Sequence, residues 1–454
     1  MRHRVIGLSG DRVILAVTLC CLLLSTFLAF GQKPKTAAAP AEQAIVLRGG
    51  KLLTITHGVI EDGVLVMENG KITAVGKAGA VAIPKGARVI EVPGMTVYPG
   101  LIDSETNLGL TEIQAVQMSN DLIEMSDEIM PHMHVSDAFH AESSLIPITR
   151  VNGVTNAIVA PDSQDTLPGQ DSFIQLAGRD RDQMLLVKDV AMPMNFTGAQ
   201  RRNRSFENAK FPFTRMGMAE QLRQAFIDAQ EYGRKLADYQ KKQANGQTEK
   251  KGDEPSPPKR DLKLEALLPY LAGEKPVVLS AEESNDLQTA VDLAHEFNLK
   301  IVLNHVTHTQ SVLDYIAALK VPVIVGPIYD FPHDDQRYDT VYKLPAELAK
   351  RGVKIAFASY DSHNARNLPY AAGYAVAYGL PYDEALKAIT LNPAEIWGVA
   401  DRLGSLDAGK SANVVVANGD PLDVRTDVKM VFIQGREVPQ RTRQTDLRDQ
   451  YMGK

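Results

Sequence analysis

The chain has 454 residues, of which 44% are hydrophobic and 23% charged, which is typical of a soluble globular protein with one large and one smaller domain. The formal net charge of -6 provides no basic surface for nucleic acid, and an aromatic content of 6% offers little base stacking. We therefore expect no nucleic-acid partner.

Residues 1–31 have the pattern of an export signal peptide. Basic residues precede an apolar run from Val13 to Phe30, which ends in small residues of the kind that signal peptidase recognises. A helix of that length spans about 27 Å, so an uncleaved membrane anchor is the alternative. We favour cleavage, because residues 32–44 form a Pro- and Ala-rich tether. The expected location is periplasmic or secreted, with no membrane contact after cleavage.

Both cysteines of the chain, Cys20 and Cys21, lie inside the predicted signal peptide. The mature protein would then contain no thiol, so we expect no disulfide, no cysteine nucleophile and no cysteine-ligated zinc. Any metal site is limited to His, Asp, Glu or a modified Lys.

Short strands separated by turns occur near both ends of the chain. At the amino end, Asn69-Gly70 is a hairpin signal, because both residues tolerate the positive φ of a tight turn. Similar runs occur near the carboxyl end. We predict that residues 45–98 and 399–440 together form one small β-sandwich, with residues 99–398 inserted between them.

The central part, residues 99–398, alternates between strand and helix patterns. The Val- and Ile-rich runs of strand length are 154–160, 276–280, 300–304, 321–326 and 353–358. Strands separated by helices favour parallel pairing, and we prefer closure into a TIM-like (β/α)8 barrel over an open sheet. A charged insertion near 216–262 interrupts this alternation. Its first part is predicted to be a long charged helix, because Leu222, Phe226 and Ala229 lie at helical spacing, and residues 243–262 have no apolar anchors and are predicted to be solvated.

Polar residues follow the predicted strands, where a barrel of this class carries its chemistry. Asp103, Glu105 and Asn107 end the first strand of the barrel, which begins in the run Val97-Tyr-Pro-Gly-Leu-Ile-Asp103. Later strands lead to the residue groups His305 with His308, and Asp361 with His363. Because these strand ends meet at one rim, the side chains are candidates for a common site.

Several motifs of the chain match one family. The matching segments are Pro99-Gly-Leu-Ile-Asp103, Asp361-Ser-His-Asn-Ala-Arg-Asn367, Asn392-Pro-Ala-Glu395 and Leu403-Gly-Ser-Leu-Asp-Ala-Gly409. Together they resemble the opening and closing portions of imidazolonepropionase-like metal-dependent hydrolases of the amidohydrolase superfamily. The resemblance covers both ends and most of residues 275–436.

This resemblance implies a function and a set of site residues. It implies hydrolysis of a non-peptide C–N bond in a small amide, with cyclic amides among the candidates, and a divalent metal, zinc foremost. It assigns Asp361 as the metal-binding general base and Arg366 and Asn367 to substrate binding. A small-molecule substrate and a homo-oligomeric state are further expectations from the family.

The chain departs from the family at the metal site. The His-x-His pair that follows Pro-Gly-Leu-Ile-Asp in the family is replaced by Glu105 and Asn107, and Ser280 stands where a third histidine is usual. A carboxylate still binds zinc, whereas an amide oxygen suits Ca²⁺ or Mg²⁺ better. We predict an atypical metal site formed by His305, Glu105, Asn107 and His363.

Each of these residues also has a structural explanation. Glu105, Asn107 and Ser280 could form a hydrogen-bonded polar layer in a barrel that has lost its metal, and His305 could cap the next helix. The alternative function is therefore a catalytically silent amidohydrolase-fold protein that binds a small ligand or a protein partner.

A second His-x-His sequence, His132-Met-His134, lies in a Met-rich region after the first strand. No strand pattern fixes this pair, so we interpret the region as a lid over the rim. Lys188 follows an apolar run and is a weak candidate for a carbamylated metal ligand.

Overall fold

The structure is a computed structural model that describes residues 43–124, 126–196, 211–212, 214–244, 256–329 and 336–453. The predicted signal peptide and most of the predicted tether lie outside the described residues. Within the described ranges, no helix is both long and apolar enough to cross a membrane.

The strands of the described residues fall into two sheets of eight strands each. In chain order they are β1 Ile45–Leu53, β2 Val59–Glu68, β3 Lys71–Lys77, β4 Arg88–Glu91, β5 Thr96–Pro99, β6 Leu101–Thr106, β7 Val154–Val159, β8 Asp171–Gln175, β9 Leu185–Asn195, β10 Val277–Ser280, β11 Ile301–Asn304, β12 Val323–Val325, β13 Ile355–Phe357, β14 Val414–Ala417, β15 Val428–Ile433 and β16 Arg436–Val438.

The helices connect and cover these strands. The described α-helices are α1 Val135–Ala138, α2 Leu145–Arg150, α3 Arg181–Met184, α4 Arg215–Ala244, α5 Leu262–Leu271, α6 Ser284–Glu296, α7 Leu313–Leu319, α8 Thr340–Lys350, α9 Leu368–Ala377, α10 Tyr382–Lys387, α11 Leu391–Ile396 and α12 Arg443–Tyr451. Short 3₁₀ turns occur at Gln117–Ser119, Gln310–Val312 and Ala365–Asn367.

One sheet contains strands from both ends of the chain, in the order β16-β15-β14-β5-β1-β2-β3, with β4 paired to β1. The ends meet where β14 pairs antiparallel with β5, for example Val415 opposite Tyr98. Buried Leu47, Leu65 and Phe432 share one apolar cluster of this sheet. The two ends therefore form one folded unit, while the two-layer sandwich arrangement stays a prediction.

The second sheet has the order β13-β12-β11-β10-β9-β8-β7-β6 and is nearly closed. Its two edges are joined where Tyr360 N donates to Glu105 O at 3.0 Å. Seven strands run in one direction, but β8 is antiparallel to both β7 and β9. The expectation of eight parallel strands is therefore wrong for β8: the connection from β7 contains no helix, and only the single-turn α3 leads on to β9, too little chain for a parallel crossover.

The first part of the charged insertion forms the long helix α4, which is packed along one face. Leu222, Phe226 and Ala229 of α4 are fully buried, and the Phe226 and Phe297 ring centroids are 5.1 Å apart. Their helical spacing places them on one face, which packs against the barrel layer. The helix expected from their spacing is therefore present, while residues 245–255 of the predicted solvated segment lie outside the described residues.

Alternation along the strands fixes which residues face the inside of the barrel. One buried cluster takes a residue from each of several strands, including Ile158, Phe173, Val278 and Val302. The adjacent residue Leu303 instead belongs to the cluster shared with the helices. Side chains two residues after Val278 and Val302, at the ends of β10 and β11, therefore also face inward.

Candidate functional site

A buried polar cluster lies where the parallel strands end. Asn304 Nδ2 donates to Glu105 Oε2 at 2.6 Å and to Ser280 Oγ at 3.3 Å. The Tyr360 hydroxyl donates to Asn304 Oδ1 at 2.5 Å. We call Glu105, Ser280, Asn304, His305 and Tyr360 the mouth cluster. Its members come from β6, β10, β11 and the segments that follow β11 and β13, so only the closed sheet brings them together.

His305 faces Glu105 across the mouth cluster. His305 Nε2 is 3.8 Å from Glu105 Oε1, and the two side chains are 15% and 13% exposed. Burial by itself lowers the pKa of His305, but the Glu105 carboxylate, with Glu282 and Asp162 further away, outweighs it and raises the pKa above its ordinary value. Protonated imidazole is therefore favoured beside a carboxylate in a partly desolvated site.

Two residues of the mouth cluster have a left-handed backbone, with φ of 52° at His305 and 55° at Tyr360. This conformation is uncommon for bulky residues and is retained where the surroundings require it. The two rings contact each other at 4.3 Å between centroids. Gly326 makes room for the Tyr360 ring, because a Cβ at that position would lie 2.9 Å from Tyr360 Cε2.

Asp103 lies two residues before Glu105 on β6 and binds Ser359, the residue before Tyr360. It is fully buried, and its carboxylate accepts hydrogen bonds from Ser359 N at 2.9 Å and Ser359 Oγ at 2.5 Å. Burial raises the pKa of Asp103 to about 7, although the bonds from Ser359 oppose the rise. Asp103 therefore joins β6 to the chain after β13 and carries a proton more readily than an ordinary aspartate.

Asp361, the predicted general base, has its carboxylate engaged within its own loop. Its Oδ1 accepts from His363 N at 2.6 Å and Asn364 N at 3.2 Å, and its Oδ2 accepts from Asn364 Nδ2 at 2.9 Å. Its backbone oxygen accepts from Thr106 Oγ1 at 2.8 Å. The structure thus shows Asp361 shaping the loop after β13, and its assignment as the base stays a prediction.

The other two predicted metal donors, Asn107 and His363, contact other groups. Asn107 Nδ2 donates to Ala160 O at 3.0 Å, and His363 Nδ1 lies 3.2 Å from Ser362 Oγ. Among the described residues there is no group of three or more His, Cys, Asp or Glu residues that could hold a metal. Because zinc sites use three or four protein ligands, the donor set described here does not fit zinc.

The two predicted substrate-binding residues lie in the loop after Asp361. Arg366 Nη1 donates to His363 O at 2.6 Å, and Asn367 Nδ2 donates to Asn364 Oδ1 at 3.3 Å. Asn367 also lines a separate cavity of about 710 Å³. Both side chains are thus hydrogen-bonded within their own loop, and their role in substrate binding stays a prediction.

Three residues near the site were not identified from the sequence. Asn304 and Tyr360 connect the mouth cluster, and the only sequence signal was their position at or shortly after a strand end. Asp171 begins β8 and is fully buried, and its Oδ1 has no hydrogen-bond partner within the described ranges. Burial and the charge of Glu105 raise the pKa of Asp171 well above its ordinary value. Its position at the rim follows from the antiparallel direction of β8, which the sequence did not reveal.

The His132-Met-His134 segment is held more firmly than expected. Met130 N donates to Leu167 O at 2.7 Å, and Val135 N donates to Gln170 O at 3.1 Å. The expectation that no strand pairing fixes the segment is therefore wrong, since short β-bridges tie it to the chain before β8. His134 Nδ1 lies 2.7 Å from Asp189 Oδ1, which orients its ring. Lys188, the weak ligand candidate, is 46% exposed and faces Asp137.

Part of the chain matches a known protein family. Residues 270–438 match the model of the amidohydrolase family. This part of the chain is therefore similar to the amidohydrolase family. The matched part contains β10 to β16 and therefore most of the strands that carry the mouth cluster.

Individual relatives extend the similarity over the barrel. The chain is 28% identical over 390 residues to amidohydrolase tasK of Hapsidospora irregularis, covering 82% of this chain and 39% of that protein. A dihydroorotase of Syntrophus aciditrophicus is 34% identical over 64 residues, covering 14% of this chain and 15% of that one. The chain thus spans about two fifths or less of the length of these relatives.

A solved structure supports the same fold. The amidohydrolase from Thermotoga maritima superposes with a TM-score of 0.77 and 28% sequence identity, covering 87% of this chain and all of that one. The described barrel is therefore an amidohydrolase-like barrel with a mixed α/β architecture.

Proposed function

We propose that the protein hydrolyses a C–N bond other than a peptide bond in a small amide, at the mouth cluster of the amidohydrolase-like barrel. The observation that carries the proposal is the facing pair Glu105 and His305, partly desolvated and 3.8 Å apart at the carboxyl ends of β6 and β11. Barrel enzymes place their catalytic groups at this rim.

The pair can supply both halves of an acid–base reaction. Glu105 accepts a proton from water as the water oxygen attacks the carbonyl carbon of the amide. The protonated His305 donates a hydrogen bond to the oxygen on which negative charge develops. When the C–N bond breaks, the proton held by Glu105 passes to the leaving nitrogen, so that an acid and an amine are formed.

Neighbouring residues hold the pair in place. Asn304 fixes one oxygen of Glu105 and is fixed in turn by Tyr360, whose ring contacts His305. This arrangement leaves Glu105 Oε1 on the His305 side of the carboxylate. A base held by its neighbours loses little entropy in the reaction, which is how positioning contributes to the rate.

Two kinds of similarity support the reaction class: that of residues 270–438 to the amidohydrolase family model, and that of the chain to amidohydrolase tasK and a dihydroorotase. The imidazolonepropionase-like subtype and a cyclic substrate are finer parts of the same proposal. A divalent metal stays a prediction that the described donors do not by themselves support, so the roles above are assigned to protein groups alone.

A second function, ligand binding without catalysis, is favoured by the engagement of Asp361. Three donors of its own loop occupy its carboxylate, and Asn107, in place of a family histidine, donates to a backbone oxygen. A barrel that retains its frame but uses its polar residues as internal hydrogen-bond partners would bind a ligand without turning it over.

The deciding experiment compares Glu105→Gln with the wild type on a panel of lactams, cyclic imides and N-acyl amino acids. We expect the variant to lose at least about 100-fold in kcat/KM, because a general base contributes roughly 10²–10⁴-fold. Glu61→Gln, at a 73% exposed side chain in β2, outside the barrel sheet, is the matched control and should retain full activity.

Two results would separate the alternatives. Equal activity of Glu105→Gln and the wild type on a substrate that the wild type turns over would refute the role of Glu105. Binding without turnover of every compound that binds would favour the silent protein. Metal content is measured on the same preparations, and stoichiometric zinc that is lost in His305→Ala would restore the predicted metal site.

A further inference from the structure

A cavity of about 710 Å³ lies between α9, α10 and the loop that follows β14. Four tyrosines and two aspartates dominate its lining; they are Tyr329, Tyr370, Tyr374, Tyr382, Asp420 and Asp423. We call this cavity the tyrosine pocket. No residue of the mouth cluster lines it, and its volume lies within the range of small-molecule sites, about 300–1,000 Å³.

The aromatic rings of the pocket are ordered by contacts with one another. Tyr329 meets Tyr374 edge to face, with centroids 5.9 Å apart and an interplanar angle of 89°. Tyr342 stacks against Tyr374 at 5.8 Å from outside the pocket. Tyr374 nevertheless remains 49% exposed and Tyr329 47% exposed. Their rings are therefore held in place, with surface still available to a ligand.

The opposite wall is the loop after β14, which approaches α9 closely. A Cβ at Gly373 of α9 would lie 2.5 Å from Leu422 O, so only glycine permits this approach. The Tyr382 hydroxyl donates to Asp420 Oδ1 at 2.8 Å, and Leu422 N donates to the same oxygen at 2.9 Å. The carboxylate of Asp420 is thus fixed in orientation at the pocket wall.

The charged residues that line the pocket are all acidic. Its lining contains Asp420 and Asp423 but no Lys, Arg or His among the described residues. Asp423 is paired with Arg425, which does not line the cavity. Within the described ranges, no cation is paired with Asp420, and its Oδ2 accepts no hydrogen bond. The pocket therefore combines aromatic faces with one uncompensated, oriented carboxylate.

We infer that the tyrosine pocket binds a small organic cation that carries an alkylated ammonium group. Tyrosine faces attract such a group through the ring quadrupole, and aromatic cages are a general solution for alkylated ammonium, which is only weakly hydrated. Asp420 supplies the counter-charge without first having to release a protein cation. This site is separate from the mouth cluster and does not depend on the proposed hydrolysis.

The test uses choline as the probe and 3,3-dimethylbutan-1-ol as its uncharged isostere, since the two share shape but not charge. Ligand-observed NMR titration of the full chain should show saturable choline binding, at least about 10-fold tighter than binding of the isostere. Equal binding of the two compounds, or no saturable binding of choline, would overturn the inference.

Variants locate the binding. Tyr374→Leu and Asp420→Asn should each weaken choline binding about 5- to 10-fold, and Asp420→Asn retains the oxygen that accepts from Tyr382. Tyr338→Leu is the matched control: this tyrosine is 65% exposed and does not line the pocket, so its loss should leave binding unchanged. Binding that survives both pocket variants, checked for folding by circular dichroism, would place the cation elsewhere and refute the inference.

Discussion

The buried carboxyl of Asp103 should make the stability of this protein fall as the pH rises. In the folded protein, burial raises the pKa of Asp103 from an ordinary 3.8 to about 7. Between these two pH values, the unfolded chain has already lost the proton that the folded chain keeps. Folding is therefore disfavoured progressively from about pH 4 to pH 7, and the full penalty applies above pH 7.

The magnitude follows from the two pKa values. Each pKa unit corresponds to about 1.4 kcal/mol, so a rise from 3.8 to about 7 is worth about 4 kcal/mol. Asp103→Asn cannot ionise and should remove this penalty. The amide fits the site, because its oxygen can accept from Ser359 N, while the Ser359 hydroxyl can donate to Asp361 O at 3.2 Å.

The assay is unfolding by guanidinium chloride at several pH values between 4 and 8. The single tryptophan, Trp397, reports it by fluorescence, because it is buried in the cluster that fills the barrel. We expect the two proteins to have similar free energies of unfolding at pH 4 and the variant to be more stable at pH 8, by up to about 4 kcal/mol.

A matched control is Asp401→Asn, whose side chain is 74% exposed. It should retain the pH dependence of the wild type. If Asp103→Asn also retains that dependence, or is less stable than the wild type at pH 8, Asp103 does not carry a buried, costly charge and the reasoning is refuted.

Three further predictions test the packing, the mouth cluster and the amino terminus. Phe226→Ala should lower the free energy of unfolding by about 3–5 kcal/mol, because it opens a cavity under α4. The control Phe211→Ala, at a 65% exposed ring, should change the free energy of unfolding little. Equal effects of the two variants in urea unfolding would contradict the packing of α4. Tyr360→Phe should cost about 1–3 kcal/mol, since Asn304 Oδ1 loses its donor, and an unchanged unfolding midpoint would contradict that bond. Mass spectrometry of the exported protein should find an amino terminus at or close to Gln32, and an intact Met1 would reverse the prediction.

Local residue patterns predicted the frame of the protein. Apolar runs of strand length with polar residues at their ends predicted a barrel and its rim, and the strands found at β7, β10, β11, β12 and β13 match five predicted runs. These features are local, because a strand is predicted from its own apolar residues and its end from the first polar residues that follow. The same locality let Glu105 and His305 be named as candidates.

The tertiary structure decided what local patterns cannot encode. The direction of β8 depends on which strands it pairs with, and that direction brings Asp171 to the rim. Which surface packs against α4 also depends on the tertiary structure. Phe297 forms part of that surface, because its ring contacts Phe226 of α4. A polar residue at a strand end can point into the mouth or back into its own loop. Glu105 does the first and Asp361 the second, because a side chain takes the hydrogen-bond partners that the closed sheet places within its reach.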